Sequence, residues 1–376
     1  METGRSPYHH NQSFKGKIWK DGSFVKSKFY IKDGKIHPGI TKNLYEAAYI
    51  IPPFADPHIH GGWGYDFEQG DFASLENKLK QNGVFCAVPT ISCSSLNKLK
   101  RISGYYQKYR KDNPHSIFPF LRAEGPFINP IKKGSQEEKN ILTPTPENIE
   151  ELLSIKNFKV HTFAPEMDPL QLMVKKALQV SKIPSAGHSQ AQFRDFLKHY
   201  DLGLRHMTHY PNAMSGLHHR EIGLTGAGLV LKDLQLEVIA DSIHNSMDFF
   251  SLLLQIKGPA ICLTSDLIPP AYSKSQSILK FKISSFGRKI TVKDNVLAGG
   301  GTLVSEQAKA LFDSGIKPEE IIPLVCTNAL DFFGLSSFNI KPGRDANFIV
   351  LNKSFEIQAV YENGELFTGD QNWKTA

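Results

Sequence analysis

Histidines and carboxylates that could bind a metal ion recur along this chain of 376 residues. The densest group is at residues 56–62, which read DPHIHGG and follow an apolar run from Tyr49 to Ala55. We predict this run to be one buried strand. Because side chains two positions apart on a strand project to the same face, His58 and His60 could bind one divalent ion together. Two solvated histidines are the alternative for so short a motif.

Apolar runs and amphipathic helical segments alternate between residues 50 and 266. The predicted strands are the run at Ile50 and residues 84–88, 118–123, 160–164, 183–187, 204–208, 236–240 and 260–264. Helical segments are predicted at residues 75–81, 96–110, 146–155, 169–180, 190–199 and 247–256. This alternation of strand and helix predicts an α/β fold of the (β/α)8 TIM-like barrel type.

Candidate ligands or catalytic groups follow six of the predicted strands. They are His58 and His60 after the first strand, Glu124 after the third, His188 after the fifth, His209 after the sixth, Asp241 and His244 after the seventh, and Asp266 after the eighth. Active sites of such barrels lie at the C-terminal ends of the strands, so these residues should converge on one mouth. Imidazole and carboxylate groups bind zinc and similar divalent ions. The sequence therefore predicts a metal site there, although any one of these residues alone would more often be a hydrogen-bonding residue at a strand end.

The two ends of the chain are predicted to form a second, smaller domain. Asp-Gly pairs at residues 21–22 and 33–34 separate strand-like runs, which is a strong hairpin signal. Strand-like runs return at residues 347–351 and 356–362, after a region with short strands between 279 and 298 and helical segments at 303–313 and 319–333. We assign residues 1–51 and 338–376 to a small β-sandwich domain, with the barrel at residues 52–337 inserted between its halves.

Composition narrows the class of partner and the compartment. The net charge is +7 and the pI is near 9.0. Such a charge suits an anionic partner, for example a phosphorylated metabolite or nucleic acid, but lysines scattered over a soluble surface are an alternative explanation. Basic runs are too short for a nucleic-acid arm, and apolar runs are shorter than the roughly 20 residues that span a bilayer. Residues 1–17 are polar, unlike a signal peptide. The four cysteines form no C-x-x-C pair, and most lie in apolar runs, which fits a reducing compartment. We expect a cytoplasmic protein with neither a nucleic-acid nor a membrane partner.

These motifs identify a family resemblance over nearly the whole chain. The chain resembles the N-acetylglucosamine-6-phosphate deacetylases of the amidohydrolase superfamily. The matching segments are DPHIHGG at 56–62, AEGPFI at 123–128, KKG at 132–134, APE at 164–166, SAGHS at 185–189, TH at 208–209, NAM at 212–214, LHHRE at 217–221, ADSIH at 240–244, TSD at 264–266 and PGRDA at 342–346. The Glu-Gly-Pro segment and the Asn-Ala-Met and His-His-Arg-Glu segments are specific to the deacetylases rather than to the superfamily.

The resemblance implies a metal-dependent hydrolysis of N-acetylglucosamine 6-phosphate to glucosamine 6-phosphate and acetate, in amino-sugar catabolism. Glu124, His188 and His209 would bind the main metal ion, for which zinc is expected. His58 and His60 would be ligands of a second site that only some members of the family fill.

The resemblance also implies roles in catalysis and substrate binding. Asp266 would be the general base that takes a proton from the attacking water, and would then deliver a proton to the leaving amine. Asn212 and Ala213 would meet the sugar phosphate, His244 a sugar hydroxyl, and Arg220 the phosphate of the neighbouring subunit in a homodimer. The alternative for Arg220 is a surface salt bridge with Glu221. We assign four further residues to substrate binding: Gln136, Ala298, Gly299 and Gly300.

Two departures from the family pattern keep other functions open. After residues 132–134 the family usually has a histidine that polarises the substrate carbonyl, whereas this chain has Ser135 and Gln136. A glutamine amide can donate a hydrogen bond but cannot carry a positive charge. The segment after Asp266 is usually small and alanine-rich, whereas here it reads LIPP at 267–270. An amidohydrolase acting on a different N-acyl amino sugar, or a non-catalytic barrel that binds a phosphosugar or a partner protein, are therefore alternatives.

Overall fold

Two large sheets organise the chain in the computed structural model, which describes residues 12–41, 43–273, 281–283 and 288–369. The strands are β1 (Gln12–Lys20), β2 (Ser23–Lys32), β3 (Lys35–Pro38), β4 (Asn43–Ile51), β5 (Phe54–Ile59), β6 (Gly61–Gly62), β7 (Tyr65–Asp66), β8 (Val84–Ile91), β9 (Leu121–Glu124), β10 (Phe158–Phe163), β11 (Ile183–Ala186), β12 (His206–Met207), β13 (Gln235–Val238), β14 (Ile261–Leu263), β15 (Lys282–Ile283), β16 (Ile290–Thr291), β17 (Phe348–Leu351), β18 (Ile357–Glu362) and β19 (Glu365–Gly369). The α-helices are α1 (Phe72–Gln81), α2 (Leu96–Asp112), α3 (Pro146–Ser154), α4 (Leu172–Gln179), α5 (Phe193–Asp201), α6 (Gly223–Val230), α7 (Met247–Lys257), α8 (Val304–Asp313), α9 (Pro318–Ile322) and α10 (Asn328–Phe333).

The first sheet joins both ends of the chain. Its seven strands lie in the order β19-β18-β17-β4-β1-β2-β3. The ring of Phe14 on β1 is 5.1 Å from the ring of Tyr361 on β18, although β4 and β17 separate these strands. Neighbouring strands are about 4.8 Å apart, so the sheet must curl around its own aromatic core. The predicted small β domain made from both chain ends is therefore confirmed.

Tight turns connect the antiparallel strands of this sheet as predicted. The pairs Asp21-Gly22 and Asp33-Gly34 join β1 to β2 and β2 to β3, and Asn363-Gly364 joins β18 to β19. All six residues have positive φ, the geometry of type I′ turns, whose twist matches that of the flanking strands.

The prediction of a single strand from Tyr49 to Ala55 is wrong. Strand β4 ends at Ile51 within the small sheet, and β5 begins at Phe54 within the barrel. Pro52 and Pro53 lie between them, and prolines lack the N–H that a sheet ladder requires. The proline pair thus marks the point where the chain passes from one sheet to the other.

The second sheet is a nearly closed parallel barrel of eight strands in the order β5-β8-β9-β10-β11-β12-β13-β14. The first and last strands meet through a parallel bridge between Ile59 and Leu267. The buried carboxylate of Asp56 strengthens this seam, because its Oδ1 accepts hydrogen bonds from the Ser265 N–H and the Thr264 hydroxyl, both at 3.1 Å. The predicted (β/α)8 barrel is therefore confirmed.

Side-chain caps set the first turn of several barrel helices. The hydroxyls of Ser95, Thr145 and Ser246 accept hydrogen bonds from backbone N–H groups three residues on, at the starts of α2, α3 and α7. The apolar faces of these helices are buried against the outside of the barrel. Among the described residues, no helix combines the length and apolarity needed to cross a bilayer.

Two helical regions differ from the prediction. The sequence of α6, GLTGAGLV, has no polar face, so it shows no amphipathic period and was not predicted. The predicted helix at 319–333 is α9 and α10 joined by a π-helical segment, Pro323–Thr327. Residues 279–280 of the predicted strand at 279–283 lie outside the described residues. The strand β15 covers only Lys282–Ile283 of that prediction.

Candidate active site

Six of the predicted residues converge at the C-terminal mouth of the barrel, where their ligand atoms form two adjacent groups. Within each group these atoms lie within 4.8 Å of one another. One group is Glu124, His188 and His209, and the other is His58, His60 and Asp266. All six residues are buried. The predicted convergence of strand-end ligands is therefore what the structure shows.

Glu124, the last residue of β9, lies between the two groups. Its Oε1 is 3.1 Å from His188 Nε2 and 2.9 Å from His209 Nε2. Its Oε2 is 3.3 Å from His60 Nε2 in the other group. Burial raises the pKa of this carboxyl, but His58 and His188 lower it more, so its pKa is well below the usual range. The ionised carboxylate can therefore contact ligands of both groups.

The histidines present their Nε2 atoms to one another. His58 Nε2 and His60 Nε2 are 3.1 Å apart, as are His188 Nε2 and His209 Nε2. His188 Nδ1 lies 2.8 Å from the Lys132 carbonyl, to which only a protonated Nδ1 can donate, so the neutral ring keeps its lone pair on Nε2. Convergent imidazole nitrogens beside ionised carboxylates are the donors that a divalent cation prefers, so this arrangement fits such an ion.

Asp266 stands beside the histidines of the second group. Its Oδ1 is 3.3 Å from His58 Nε2 and 3.2 Å from His60 Nε2. Burial raises the pKa of Asp266, but His58 and His60 together lower it by more than burial raises it. The pKa therefore lies below the ordinary value for aspartate. The carboxylate is consequently ionised at neutral pH, as a general base must be.

The backbone at three of these positions is in the left-handed region. His188, His209 and Asp266 have φ values of 47°, 33° and 47°, and each follows the end of a barrel strand by two or three residues. Non-glycine residues seldom adopt this conformation, and those that do cluster at functional sites. The sharp change of direction after the strand turns each side chain into the mouth of the barrel.

A cavity of about 550 Å³ opens above the two groups. Its wall contains most of the predicted site residues: His60, Glu124, Gln136, His188, His209, Asn212, Ala213, His244, Asp266, Ala298 and Gly299. The predicted ligand His58 lies buried beneath it. The sequence did not single out Ser92 or Lys98, which also line it.

Known structures share this arrangement of barrel and small domain. No protein-family model matches the sequence. The crystal structure of N-acetylglucosamine-6-phosphate deacetylase from Thermotoga maritima is 31% identical to this chain, with a TM-score of 0.85, and the match covers 95% of this chain and 99% of that one. The chain belongs to the N-acetylglucosamine-6-phosphate deacetylase family.

Curated relatives agree with this assignment at lower identity. The N-acetylgalactosamine-6-phosphate deacetylase of Escherichia coli O157:H7 is 26% identical over 336 residues, which cover 85% of this chain and 88% of the relative. The N-acetylglucosamine-6-phosphate deacetylase of Bacillus subtilis strain 168 is 25% identical over 356 residues, which cover 87% and 89% respectively. The family resemblance inferred from the motifs is therefore confirmed.

Gln136, which was assigned to substrate binding, is held at both ends of its amide. Its Nε2 donates to Glu124 Oε2 at 2.5 Å, and its Oε1 accepts from the Cys93 N–H at 2.9 Å. It lines the cavity, but its contact is with a candidate metal ligand. The geometry gives Gln136 a means of orienting Glu124 that the sequence did not suggest.

His244 and Asp241 form a pair at the edge of the cavity. His244 Nδ1 is 2.8 Å from Asp241 Oδ2, and Asp241 Oδ1 accepts from the backbone N–H groups of Ile243 and His244. Burial lowers the pKa of His244, but Asp241 raises it more, so the pKa lies above the ordinary value for histidine. The ring can therefore present its other N–H to a ligand in the cavity.

Arg220, which the deacetylase resemblance places across a subunit interface, is exposed on this chain. Its Nη1 is 2.9 Å from His219 Nε2. The neighbouring Glu221 uses its Oε1 to accept from the backbone N–H groups of Phe193 and Gly223, both at 2.9 Å. The alternative of an Arg220–Glu221 salt bridge is therefore wrong within this chain.

Gly300 lies behind the cavity wall rather than in it. Its N–H donates to the Asp266 carbonyl at 2.7 Å. A Cβ at this position would come within 1.8 Å of the Ser265 carbonyl oxygen, so only glycine allows this approach. Gly300 therefore supports the backbone of Asp266, and its neighbour Gly299 lines the cavity. A role of Gly300 in substrate binding stays a prediction.

Two charged residues inside the barrel were missed by the sequence analysis. Arg122 on β9 and Glu237 on β13 are fully buried and form an ion pair beneath the metal groups. Both lie within runs that were interpreted only as apolar strands. A charged residue in the middle of such a run was the available signal, since charges are almost never fully buried unless paired.

Proposed function

We propose that this protein is a divalent-metal-dependent amidohydrolase that converts N-acetylglucosamine 6-phosphate to glucosamine 6-phosphate and acetate, in amino-sugar catabolism in the cytoplasm. The observation that carries the proposal is the group of Glu124, His188 and His209 beside ionised Asp266 at the mouth of the barrel. The Thermotoga maritima relative is named for this activity.

Five of the six convergent residues would hold the metal. Glu124, His188 and His209 would bind the first ion, and His58 and His60 would be ligands of a second. Zinc is the proposed ion because nitrogen and carboxylate donors suit it. When bound, a divalent ion would polarise the acyl carbonyl as a Lewis acid and lower the pKa of water.

Asp266 would move the proton. Its Oδ1 faces His58 and His60, whereas Oδ2 points towards Gly299, which lines the cavity. Oδ2 would take a proton from the attacking water and return it to the nitrogen of the leaving amine. One carboxylate can serve in both steps because its protonated form after the first step is the acid required for the second.

The loops around the cavity would bind the phosphosugar. The imidazole of His244 would donate to a sugar hydroxyl, with Asp241 holding it protonated. Asn212 and Ala213 would contact the phosphate, and Arg220 would reach it from the other subunit of a homodimer. The exposure of Arg220 and its position outside the wall of its own cavity support a role in a neighbouring site.

A different N-acyl amino sugar phosphate is the second candidate substrate. The Escherichia coli O157:H7 relative is named for N-acetylgalactosamine 6-phosphate, which is a specific reason to test it. Gln136 and the bulky residues 267–270 are reasons to vary the acyl group as well. The intact set of convergent ligands argues against the third alternative, a non-catalytic barrel.

An amine-release assay on purified, metal-analysed protein tests the proposal. The substrates are the 6-phosphates of N-acetylglucosamine and N-acetylgalactosamine, N-acetylglucosamine without phosphate, and an N-propionyl analogue. We expect the highest kcat/KM for N-acetylglucosamine 6-phosphate, and at least about a tenfold loss without phosphate, since hydrogen bonds to charged groups contribute about 1.5–3 kcal/mol.

The control for this assay is Asp266→Asn prepared from the same host, which reveals any contaminating deacetylase. A preference for N-acetylgalactosamine 6-phosphate would establish the second candidate instead. Amine release that is the same in parent and control would contradict both.

A further inference from the structure

A polar network fills the barrel interior directly below the two metal groups. At its centre Arg122 Nη1 donates to Glu237 Oε1 in a short contact. Arg122 Nη2 donates to Thr208 Oγ1 at 2.7 Å and to Thr162 Oγ1 at 3.2 Å. The guanidinium therefore bonds the neighbouring strand β10 through Thr162 and reaches across the barrel to Glu237 on β13.

His206 completes the network on the side of β12. Its Nε2 is 3.2 Å from Glu237 Oε1, and its Nδ1 is 2.9 Å from Ser185 Oγ. Burial lowers the pKa of His206, so the ring is neutral and adds no charge to the network. Glu237 Oε1 thus accepts a hydrogen bond from Arg122 and lies close to His206, while Oε2 points elsewhere.

The second carboxylate oxygen faces a candidate metal ligand. Glu237 Oε2 is 3.5 Å from His58 Nδ1, and among the residues that the structure describes neither buried atom has a hydrogen-bond partner. The opposite nitrogen of the same ring, Nε2, is the one that faces His60 and Asp266. This atom pair is where the interior network meets the second metal group.

Such an arrangement has a recognised chemical use. A histidine that binds a metal through one nitrogen usually donates its other N–H to a carboxylate or carbonyl, which fixes the tautomer and the ring orientation. The hydrogen bond from Arg122 to Glu237 Oε1 fixes the position of this carboxylate, whose other oxygen lies beside His58 Nδ1. Burying an ion pair is seldom the most stable choice for a barrel core, which favours a role beyond stability.

We propose that Glu237 is a positioning residue for His58, and that Arg122 holds Glu237 in place. The inference deepens the proposed function and rests on its metal-binding part. A second divalent ion bound at His58, His60 and Asp266 would depend on the contact between Glu237 and His58. The other group meets His58 at Glu124 Oε1, 3.6 Å from His58 Nε2, so a first ion bound there would depend on that contact little.

Zinc binding without substrate tests this proposal separately from the deacetylase activity. Metal-stripped parent and Glu237→Gln are titrated with Zn²⁺ against a chromophoric chelator. We expect two equivalents in the parent. In the variant the second equivalent should bind at least about tenfold more weakly, the usual cost of losing such a partner, while the first changes less than about threefold.

A matched control separates positioning from stability. Thr162→Val removes a hydrogen bond from Arg122 but leaves the contact between Glu237 and His58, so it should lower the melting temperature without changing either zinc affinity. If Glu237→Gln does not fold, Glu237→Asp carries the test, because it keeps the charge beside Arg122 but withdraws the carboxylate from His58.

Three results would overturn the proposal. They are a parent that binds one equivalent of zinc, a variant with both affinities unchanged, and a variant that loses both equivalents to the same extent. The last result would show that the network is only structural. Failure to release amine from any sugar leaves the zinc measurement intact and bears on the proposed function alone.

Discussion

The two metal groups and the loop residues that complete the cavity wall are built in different ways. The metal groups come from the ends of barrel strands, are buried, and contact one another directly. The wall comes from loops, and its members Gln136, Asn212, Ala213 and Ala298 are only partly buried. The register of the sheet fixes the first set, whereas loop conformation fixes the second.

This difference separates chemistry from selectivity. A change in the metal groups alters atoms that several ligands share, because Glu124 alone approaches four histidines. A change in a wall loop leaves these contacts in place. We therefore expect substitutions in the metal groups to abolish turnover, and substitutions in the wall to shift affinity by smaller factors.

The largest effect is expected for His188→Ala and His209→Ala. Each variant removes one of three ligands of the first group, so metal and activity should be lost together. Elemental analysis and amine release on the same preparation measure this. A variant that keeps its activity after losing its metal would show that the first group is not the reaction centre.

A smaller loss is expected for Asp266→Asn, which keeps the size of the side chain but removes its basicity. Turnover should fall by at least about a hundredfold, the lower range for losing a general acid–base group. Metal at Glu124, His188 and His209 should remain. If the residue instead only supports the loop into residues 267–270, the variant will melt earlier but turn over normally per folded molecule.

For Arg220 the expected effect is on the neighbouring site. Arg220→Ala should raise KM for the phosphosugar by roughly tenfold or more, since a charged hydrogen bond to phosphate is lost. A hybrid of one Arg220→Ala chain with one Asp266→Asn chain has one site with both intact residues and should recover activity. Verified hybrids that recover none would place Arg220 outside the active site of the partner.

The smallest effect is expected for Gln136→Ala, which tests the boundary between the two regions. Because Gln136 donates to Glu124, metal affinity should fall about tenfold, as for other partners of metal ligands. Asn140→Ala is the control, since Asn140 bonds the Cys93 carbonyl without touching Glu124. Unchanged metal affinity with a lower kcat would mean that Gln136 acts on the substrate instead.

The sequence predicted the metal groups better than the wall for a physical reason. Histidine and carboxylate at the ends of apolar runs combine residue type with a position that the barrel fold makes meaningful. Roles of loop residues such as Gln136 and Gly300 depend on contacts that no period or spacing encodes. Glu237 was missed because one charge in a strand run shows neither its partner nor the direction in which it points.

Titration of metal into the metal-stripped protein tests the central claim most directly. Amine release from N-acetylglucosamine 6-phosphate is measured as zinc is added, with the melting temperature recorded to confirm folding. The account predicts that the stripped protein is slower by at least about a hundredfold, because a metal supplies several kcal/mol to such a reaction, and that activity rises with the zinc bound. Full activity in folded protein shown by elemental analysis to be free of metal would contradict it.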